Sequence, residues 1–237
     1  MPLLLTAGPL LFLAIIAWLT LLLVVRGVSP KRASGRVAAY APHILLGVLC
    51  GLFALLLLRY PDAVRAAWKL PPGRNVIVDV VVGLAVGTPI GFAYIGFLGR
   101  WLERAQRRFG DYVPPGEVLA TVSGSAVPFF AANILLAPLV EETLYRAVAI
   151  PTFAADHGVA AAVVVSSLAF GLLHWPGGLW YMLLTGPLLG GVLAALYLWS
   201  DSIVAPLAAH LALNVVEFGQ AIRLRRRSPK AHGSGRR

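Results

Sequence analysis

The sequence predicts an all-α fold, a polytopic membrane bundle of helices, on three observations. Hydrophobic residues make up 59% of the 237 residues, whereas charged residues make up 13%. The mean hydropathy of +0.80 is higher than that of an ordinary soluble domain. Several uncharged or nearly uncharged runs reach the ~20 residues that a helix needs to cross a bilayer. We therefore expect the chain to fold within a membrane.

Seven membrane-spanning helices follow from these runs, or eight if the longest run splits. The runs are residues 2–25, 37–58, 76–99, 118–154, 158–175, 179–199 and 202–222. Pro128 and Pro138 interrupt the fourth run, which is either one kinked helix or a short piece followed by a span. The first run lacks the basic start of a secretory signal, so we predict a retained span.

The pattern divides the chain into three regions. Residues 1–117 contain the first helices and basic loops, residues 118–222 contain helices with polar side chains, and residues 223–237 form a basic tail that we expect to be disordered. The one cysteine, Cys50, lies in an apolar run and has no cysteine partner. A disulfide framework and a cysteine-based metal site are therefore excluded.

Basic residues lie almost entirely between the apolar runs and in the tail, and they give a net charge of +10. In the seven-span arrangement, fifteen Lys and Arg residues fall on the side of the tail and four on the other side. The positive-inside rule then places the C-terminus in the cytoplasm. We attribute this charge to topology and to anionic lipid headgroups near the tail, and we expect no nucleic-acid partner.

Four groups of polar residues lie in the later apolar runs, where a charged side chain costs about 2.5–3.5 kcal/mol at a helix centre. They are Glu141, Glu142 and Arg146; His174; His210 and Asn214; and Glu217. Glu142 and Arg146 are four residues apart, which predicts an ion pair on one helix face. Glu141 lies about 100° around the same helix without a cation of its own, so it remains available as a proton acceptor.

Position along the helices brings two of these groups to a similar depth. Glu141 precedes the predicted turn at residues 155–158 by about 15 residues, and His174 follows it by about 17, so an antiparallel hairpin aligns them. His210 and Asn214 share one face of the last run. Interhelical hydrogen bonds alone would also explain a single buried histidine or amide.

Other residues in the runs are interpreted as structural. The spacing of four between small residues predicts close helix packing at Gly83, Gly87 and Gly91, and at Gly47 and Gly51. Asp79 and Glu217 have no evident partner nearby in the sequence, and we assign them no chemistry.

Three motifs follow one another in the second half of the chain. Residues 141–146 read Glu-Glu-x-x-x-Arg, residues 170–174 read Phe-x-x-x-His, and residues 210–214 read His-x-x-x-Asn. With these motifs the chain resembles the CAAX prenyl protease and bacteriocin-processing family of membrane peptidases. The resemblance covers roughly residues 137–214 and implies that residues 118–222 are a catalytic core.

The resemblance implies a peptidase that needs no metal or other cofactor. Glu141 would be the general base that activates a water, and His174 would help to hold and polarise that water. His210 and Asn214 would stabilise the oxyanion. The residues expected to support this site are Glu142, Arg146 and Phe170. The substrate would be a peptide or protein with an extended segment at the membrane. The peptidase itself would lie in the inner membrane of a bacterial cell.

Two alternatives stay open at this point. Glu141, His174 and His210 carry the nitrogen and oxygen ligands of catalytic zinc sites, so a zinc-dependent version of the peptidase is one alternative. The other is a non-enzymatic membrane protein for transport, immunity or scaffolding that uses the same polar cavity.

Overall fold

The computed structural model describes residues 35–98, 101, 127–174 and 179–227, and within these ranges the chain is helical and contains no β-strand. The all-α prediction is confirmed. The seven described helices are α1 (Gly35–Arg59), α2 (Pro61–Trp68), α3 (Val76–Ala93, extended by a π-helical turn at Tyr94–Leu98), α4 (residues 127–157), α5 (Val159–Leu173), α6 (residues 179–200) and α7 (Val204–Arg227).

Two of these helices alternate between α-helical and π-helical segments. In α4 the order is Val127–Phe130, π-helical Ala131–Leu136, Ala137–Glu142, π-helical Thr143–Ala149 and Ile150–His157. In α6 the order is Leu179–Leu184, π-helical Thr185–Gly190 and Gly191–Ser200. Single π-helical turns are often found at functional sites, because they shift the side chains that follow around the helix.

Helix ends follow from local residue chemistry. Asn75 caps α3 by accepting a hydrogen bond from the backbone N–H of Ile77 at 2.9 Å. Pro61 begins α2 at a bend of 99° from α1. Gly158, with φ of +82°, separates α4 from α5 in a conformation that favours glycine. The predicted turn at residues 155–158 is shorter than expected, because the helix continues to His157 and only Gly158 lies between the two helices.

The number of membrane spans is lower in the described ranges than the sequence predicted. By length and composition, Val76–Ala93 and Tyr181–Ser200 are long and apolar enough to cross a membrane, and a third candidate arises if α1 and α2 form one bent span. Val159–Leu173 is apolar but has only 15 residues. Seven or eight spans are therefore not confirmed, and the predicted first span at residues 2–25 lies outside the described residues.

The boundary of the basic tail also differs from the prediction. The helix α7 continues to Arg227, five residues beyond the predicted end of the last span. Residues 228–237 lie outside the described residues, so disorder of the tail stays a prediction.

Helices α3 and α7 pack with their backbones in contact. A Cβ atom at Gly83 would overlap the carbonyl of Ala205, and one at Gly87 would overlap the backbone of Ala209. At Gly91 it would lie 3.0 Å from Val216. The glycine prediction for α3 is confirmed, because no larger side chain fits there. Around Gly47 and Gly51, no described atom lies within 4 Å of a Cβ position, so their packing stays a prediction.

A second glycine contact, not predicted, joins α5 to α6. A Cβ atom at Gly171 would lie 2.7 Å from the Cα atom of Gly186, and one at Gly190 would lie 3.1 Å from the Cα atom of Ser167. This approach brings the backbone of α6 next to the end of α5 that carries His174.

Candidate active site

The packing of α4 against α5 determines how the first two motifs, at residues 141–146 and 170–174, lie beside each other along the helices. The Ser166 hydroxyl donates to the carbonyl of Tyr145 at 2.7 Å. The rings of Tyr145 and Phe170 meet edge to face at 5.4 Å between centroids. Glu141 lies about one turn before Tyr145, and His174 about one turn after Phe170, so this register brings both to one level, as the hairpin argument predicts.

Glu142 is the centre of a buried polar network. Its Oε1 atom accepts hydrogen bonds from Arg146 Nη1 at 3.2 Å and from His210 Nδ1 at 2.7 Å. The predicted ion pair with Arg146 is confirmed, and both side chains have no exposed surface. Arg146 also donates from Nη2 to the carbonyl of Gly190 at 3.0 Å, and its guanidinium lies 4.6 Å from the ring centroid of Phe170. The network therefore joins α4 to α5, α6 and α7.

Glu141 has different surroundings from its neighbour. Its side chain retains 14% of its exposed surface, whereas that of Glu142 has none. The Oε2 atom of Glu141 lies 3.8 Å from Nε2 of His210. His210 thus stands between the two carboxylates, with one ring nitrogen directed to each. Of the two acids, Glu141 is the one that water can reach.

His174 is held by its own helix and by aromatic rings. Its Nδ1 atom lies 2.8 Å from the carbonyl of Phe170. A carbonyl oxygen only accepts, so Nδ1 carries the proton and Nε2 of the neutral ring is left as an acceptor. The ring lies 4.8 Å from that of Phe170 and 5.7 Å from that of Tyr181. Tyr181 in turn meets Tyr94 edge to face at 5.7 Å.

Asn214 has a partner that sequence reasoning missed. Its Nδ2 atom donates to the backbone carbonyl of Asn133 at 2.8 Å, across the interface between α7 and α4. Asn133 lies in a π-helical turn, and its carbonyl carries no signal that a motif search would detect. Tyr94 and Tyr181 were missed as well, since single tyrosines in apolar helices are common.

Asp79 and Glu217 lie outside this network of bonds. Asp79 is fully buried and accepts from Arg74 Nε at 2.8 Å. The expectation that Asp79 lacks a sequence-local partner is wrong, because Arg74 precedes the start of α3 and folds back onto it. The Arg74 guanidinium also lies 3.9 Å from the ring of Trp199. Glu217 lies one helical turn beyond Asn214 on α7, and its interpretation as structural stays a prediction.

Among the described residues, no group of three or more His, Cys, Asp or Glu side chains is arranged to hold a metal ion. Glu141, His174 and His210 therefore do not form a ready set of zinc ligands in this arrangement. The ring nitrogen Nδ1 of His210 is already engaged by Glu142.

Comparison with known families identifies the segment that contains the network. Residues 123–216 match the family model described as type II CAAX prenyl endopeptidase Rce1-like. This segment is similar to the Rce1-like family. No curated protein and no solved structure matches the chain significantly. All three motifs lie within the Rce1-like segment, as does Asn133. The apolar helices and this similarity support an integral membrane protein.

Proposed function

We propose that the chain is an intramembrane endopeptidase in which Glu141 activates the attacking water. The observation that carries this proposal is the difference between the adjacent acids. Glu142 is fully buried and bound to Arg146 and His210, whereas Glu141 is partly exposed. A general base must reach both water and the reacting carbon, and only Glu141 satisfies the first condition.

His174 would bind the same water. Its Nδ1 proton is engaged by the Phe170 carbonyl, so Nε2 is the nitrogen that accepts a hydrogen bond from water. Glu141 would take the second proton as the water attacks the carbonyl carbon of the scissile peptide bond. The C–N bond of the tetrahedral intermediate would then break as this proton passes to the leaving amine, which completes hydrolysis.

His210 and Asn214 would stabilise the oxyanion that forms during this attack. A histidine protonated on both nitrogens donates to Glu142 from Nδ1 and still presents an N–H on Nε2. With His210 in that form, the charges of Glu141, Glu142, Arg146 and His210 sum to zero. Such a balance suits a site shielded from water, where an unpaired charge is costly.

The substrate would be an extended segment of a peptide or membrane-associated protein. A protein-lined cavity is the setting in which unfolded backbone is tolerated at membrane depth. The CAAX prenyl endopeptidase family suggests a C-terminal, prenylated or similarly membrane-anchored substrate. We further propose a location in the cell membrane, with the basic C-terminal residues on the cytoplasmic side near anionic headgroups.

The test is cleavage of a quenched fluorescent peptide library by detergent-purified protein. Glu141→Gln and His174→Ala should each lower the turnover rate by at least about 10²-fold, because each removes a group that handles the water. Asp156→Asn is the matched control, since Asp156 is an exposed acid at the end of the same helix. Its turnover should equal that of the wild type.

A strong chelator, added to the wild type, separates the proposed mechanism from the zinc alternative. Unchanged turnover supports water activation by Glu141 alone, whereas loss that zinc reverses would favour a metal. Turnover that survives both Glu141→Gln and His174→Ala would refute the proposed site. A wild type that cleaves no peptide, including prenylated C-terminal peptides, would favour a binding or transport protein.

A further inference from the structure

The amide of Asn214 forms a hydrogen bond with a π-helical turn of α4, and the sequence of this turn explains the bond. In this turn the backbone N–H of Ala137 donates to the carbonyl of Ala132, five residues earlier. Continued by one residue, into the α-helical segment Ala137–Glu142, this spacing of five would direct an N–H of residue 138 to the carbonyl of Asn133. Residue 138 is Pro138, which has no N–H. The helix therefore cannot supply this donor.

The Asn133 carbonyl accepts a hydrogen bond from α7. The donor is Asn214 Nδ2, at 2.8 Å. Pro138 is fully buried, and Asn214 retains 9% of its exposed surface. The bond itself is partly buried, and a backbone carbonyl in such a place is costly to leave without a donor, so the bond stabilises the contact between α4 and α7. The irregular turn in α4 and the amide on α7 thus complement each other.

We propose that Pro138 is a positioning residue that acts through Asn214. By withholding an N–H from the Asn133 carbonyl, Pro138 makes this carbonyl the acceptor that fixes the Asn214 amide. An asparagine amide has two N–H donors, so one holds the side chain and the second is left for a developing oxyanion. The catalytic part of this inference rests on the proposed function, whereas the hydrogen-bond part does not.

The kinetic test uses Pro138→Ala, which restores an N–H at residue 138. We expect the Asn133 carbonyl to be drawn into the helix and the Asn214 amide to lose its anchor. The kcat should fall at least about tenfold, which is part of the loss in rate seen when an oxyanion donor is removed. The KM should change less than about twofold. The midpoint of thermal unfolding should stay equal or rise, because proline disfavours a helix interior. A purely structural role would lower that midpoint.

The matched control is Pro151→Ala. Pro151 follows the other π-helical segment of α4, Thr143–Ala149, and is exposed. It shares the backbone chemistry of Pro138 but lies at the far end of the helix from Asn214. Its kcat should remain within about twofold of the wild type.

A double-mutant cycle on unfolding decides the hydrogen-bond part without any activity. In the wild type, Asn214→Ala should lower the midpoint by about 2–4 °C, since it removes a donor to a partly buried carbonyl. In the Pro138→Ala background, Asn214→Ala should lower the midpoint by less than half as much, because the N–H of residue 138 then donates to the Asn133 carbonyl. Equal losses in both backgrounds would overturn the inference even if the peptidase is active.

The remaining outcomes separate this inference from the proposed function. If the unfolding midpoints show coupling between Pro138 and Asn214 but the wild type cleaves no peptide, the hydrogen-bond part is supported and the peptidase proposal is not. If the unfolding midpoints show this coupling but the kcat of Pro138→Ala equals that of the wild type, the positioning role of Pro138 is overturned.

Discussion

Glu141 and Glu142 are adjacent in the chain, yet the helix turns them toward different surroundings. Glu142 meets Arg146 and His210 in a fully buried network, and Glu141 keeps access to solvent. The spacing of four residues predicts the pair of Glu142 with Arg146. The contact with His210 spans 68 residues and cannot be derived from spacing, because it depends on how α7 packs against α4.

Removal of the Arg146 cation should be strongly destabilising. Arg146→Leu leaves the Glu142 carboxylate buried without its cation, and breaking a buried pair in this way costs about 3–5 kcal/mol. Thermal unfolding of the purified protein measures this loss. The matched control is Arg65→Leu, which breaks an ion pair with Asp62 whose two side chains are 77% and 92% exposed. That variant should unfold near the wild-type midpoint, and an equal loss in both variants would contradict the prediction.

At the scale of elements, the sequence locates helices better than it locates their irregular turns. The predicted runs 76–99, 158–175 and 179–199 agree closely with α3, α5 and α6. The π-helical turns were missed, because patterns of apolar residues assume a constant number of residues per turn. Gly186 and Gly190 were overlooked although they are four residues apart, and the spacing that identified Gly83 and Gly87 would have found them.

The contact between α3 and α7 should tolerate no larger side chain at its centre. A Cβ at Gly87 overlaps the backbone of Ala209, so Gly87→Ala must separate the two helices at a cost of about 1–3 kcal/mol. Because α7 carries His210 and Asn214, turnover should fall together with the unfolding midpoint. The control is Gly51→Ala in α1, where no described atom lies within 4 Å. If Gly87→Ala behaves like Gly51→Ala, the two helices are not packed in this way.

For the whole molecule, the distribution of basic residues predicts the orientation in the membrane better than the lengths of the helices do. Only two or three segments of the described ranges meet the length and apolarity of a span, so parity cannot be counted from them. The distribution of Lys and Arg instead predicts a cytoplasmic position for the C-terminal residues. The fold class was predictable because composition determines it, whereas the number of spans depends on how α4 and α5 sit in the bilayer.

Reporter fusions after Arg237 test this orientation in cells. A reporter that is active only in the cytoplasm should be active, and one that is active only outside it should be silent, because fifteen basic residues favour that side over four. Moving the same reporters to the loop at residues 69–75 should give the reverse pattern in the seven-span arrangement. The opposite result at the C-terminus would contradict the predicted orientation.

The close contact of α3 with α7 also has a consequence for biosynthesis. The glycine face of α3 leaves the ribosome roughly a hundred residues before its partner helix is made. During that interval the face has no Ala205 or Ala209 to pack against, and lipid or the insertion machinery must cover it. His210 and Asn214 arrive on the same late helix. The candidate site therefore cannot form before α7 is made, and a nascent chain that stops before α7 carries Glu141 and His174 but lacks His210 and Asn214.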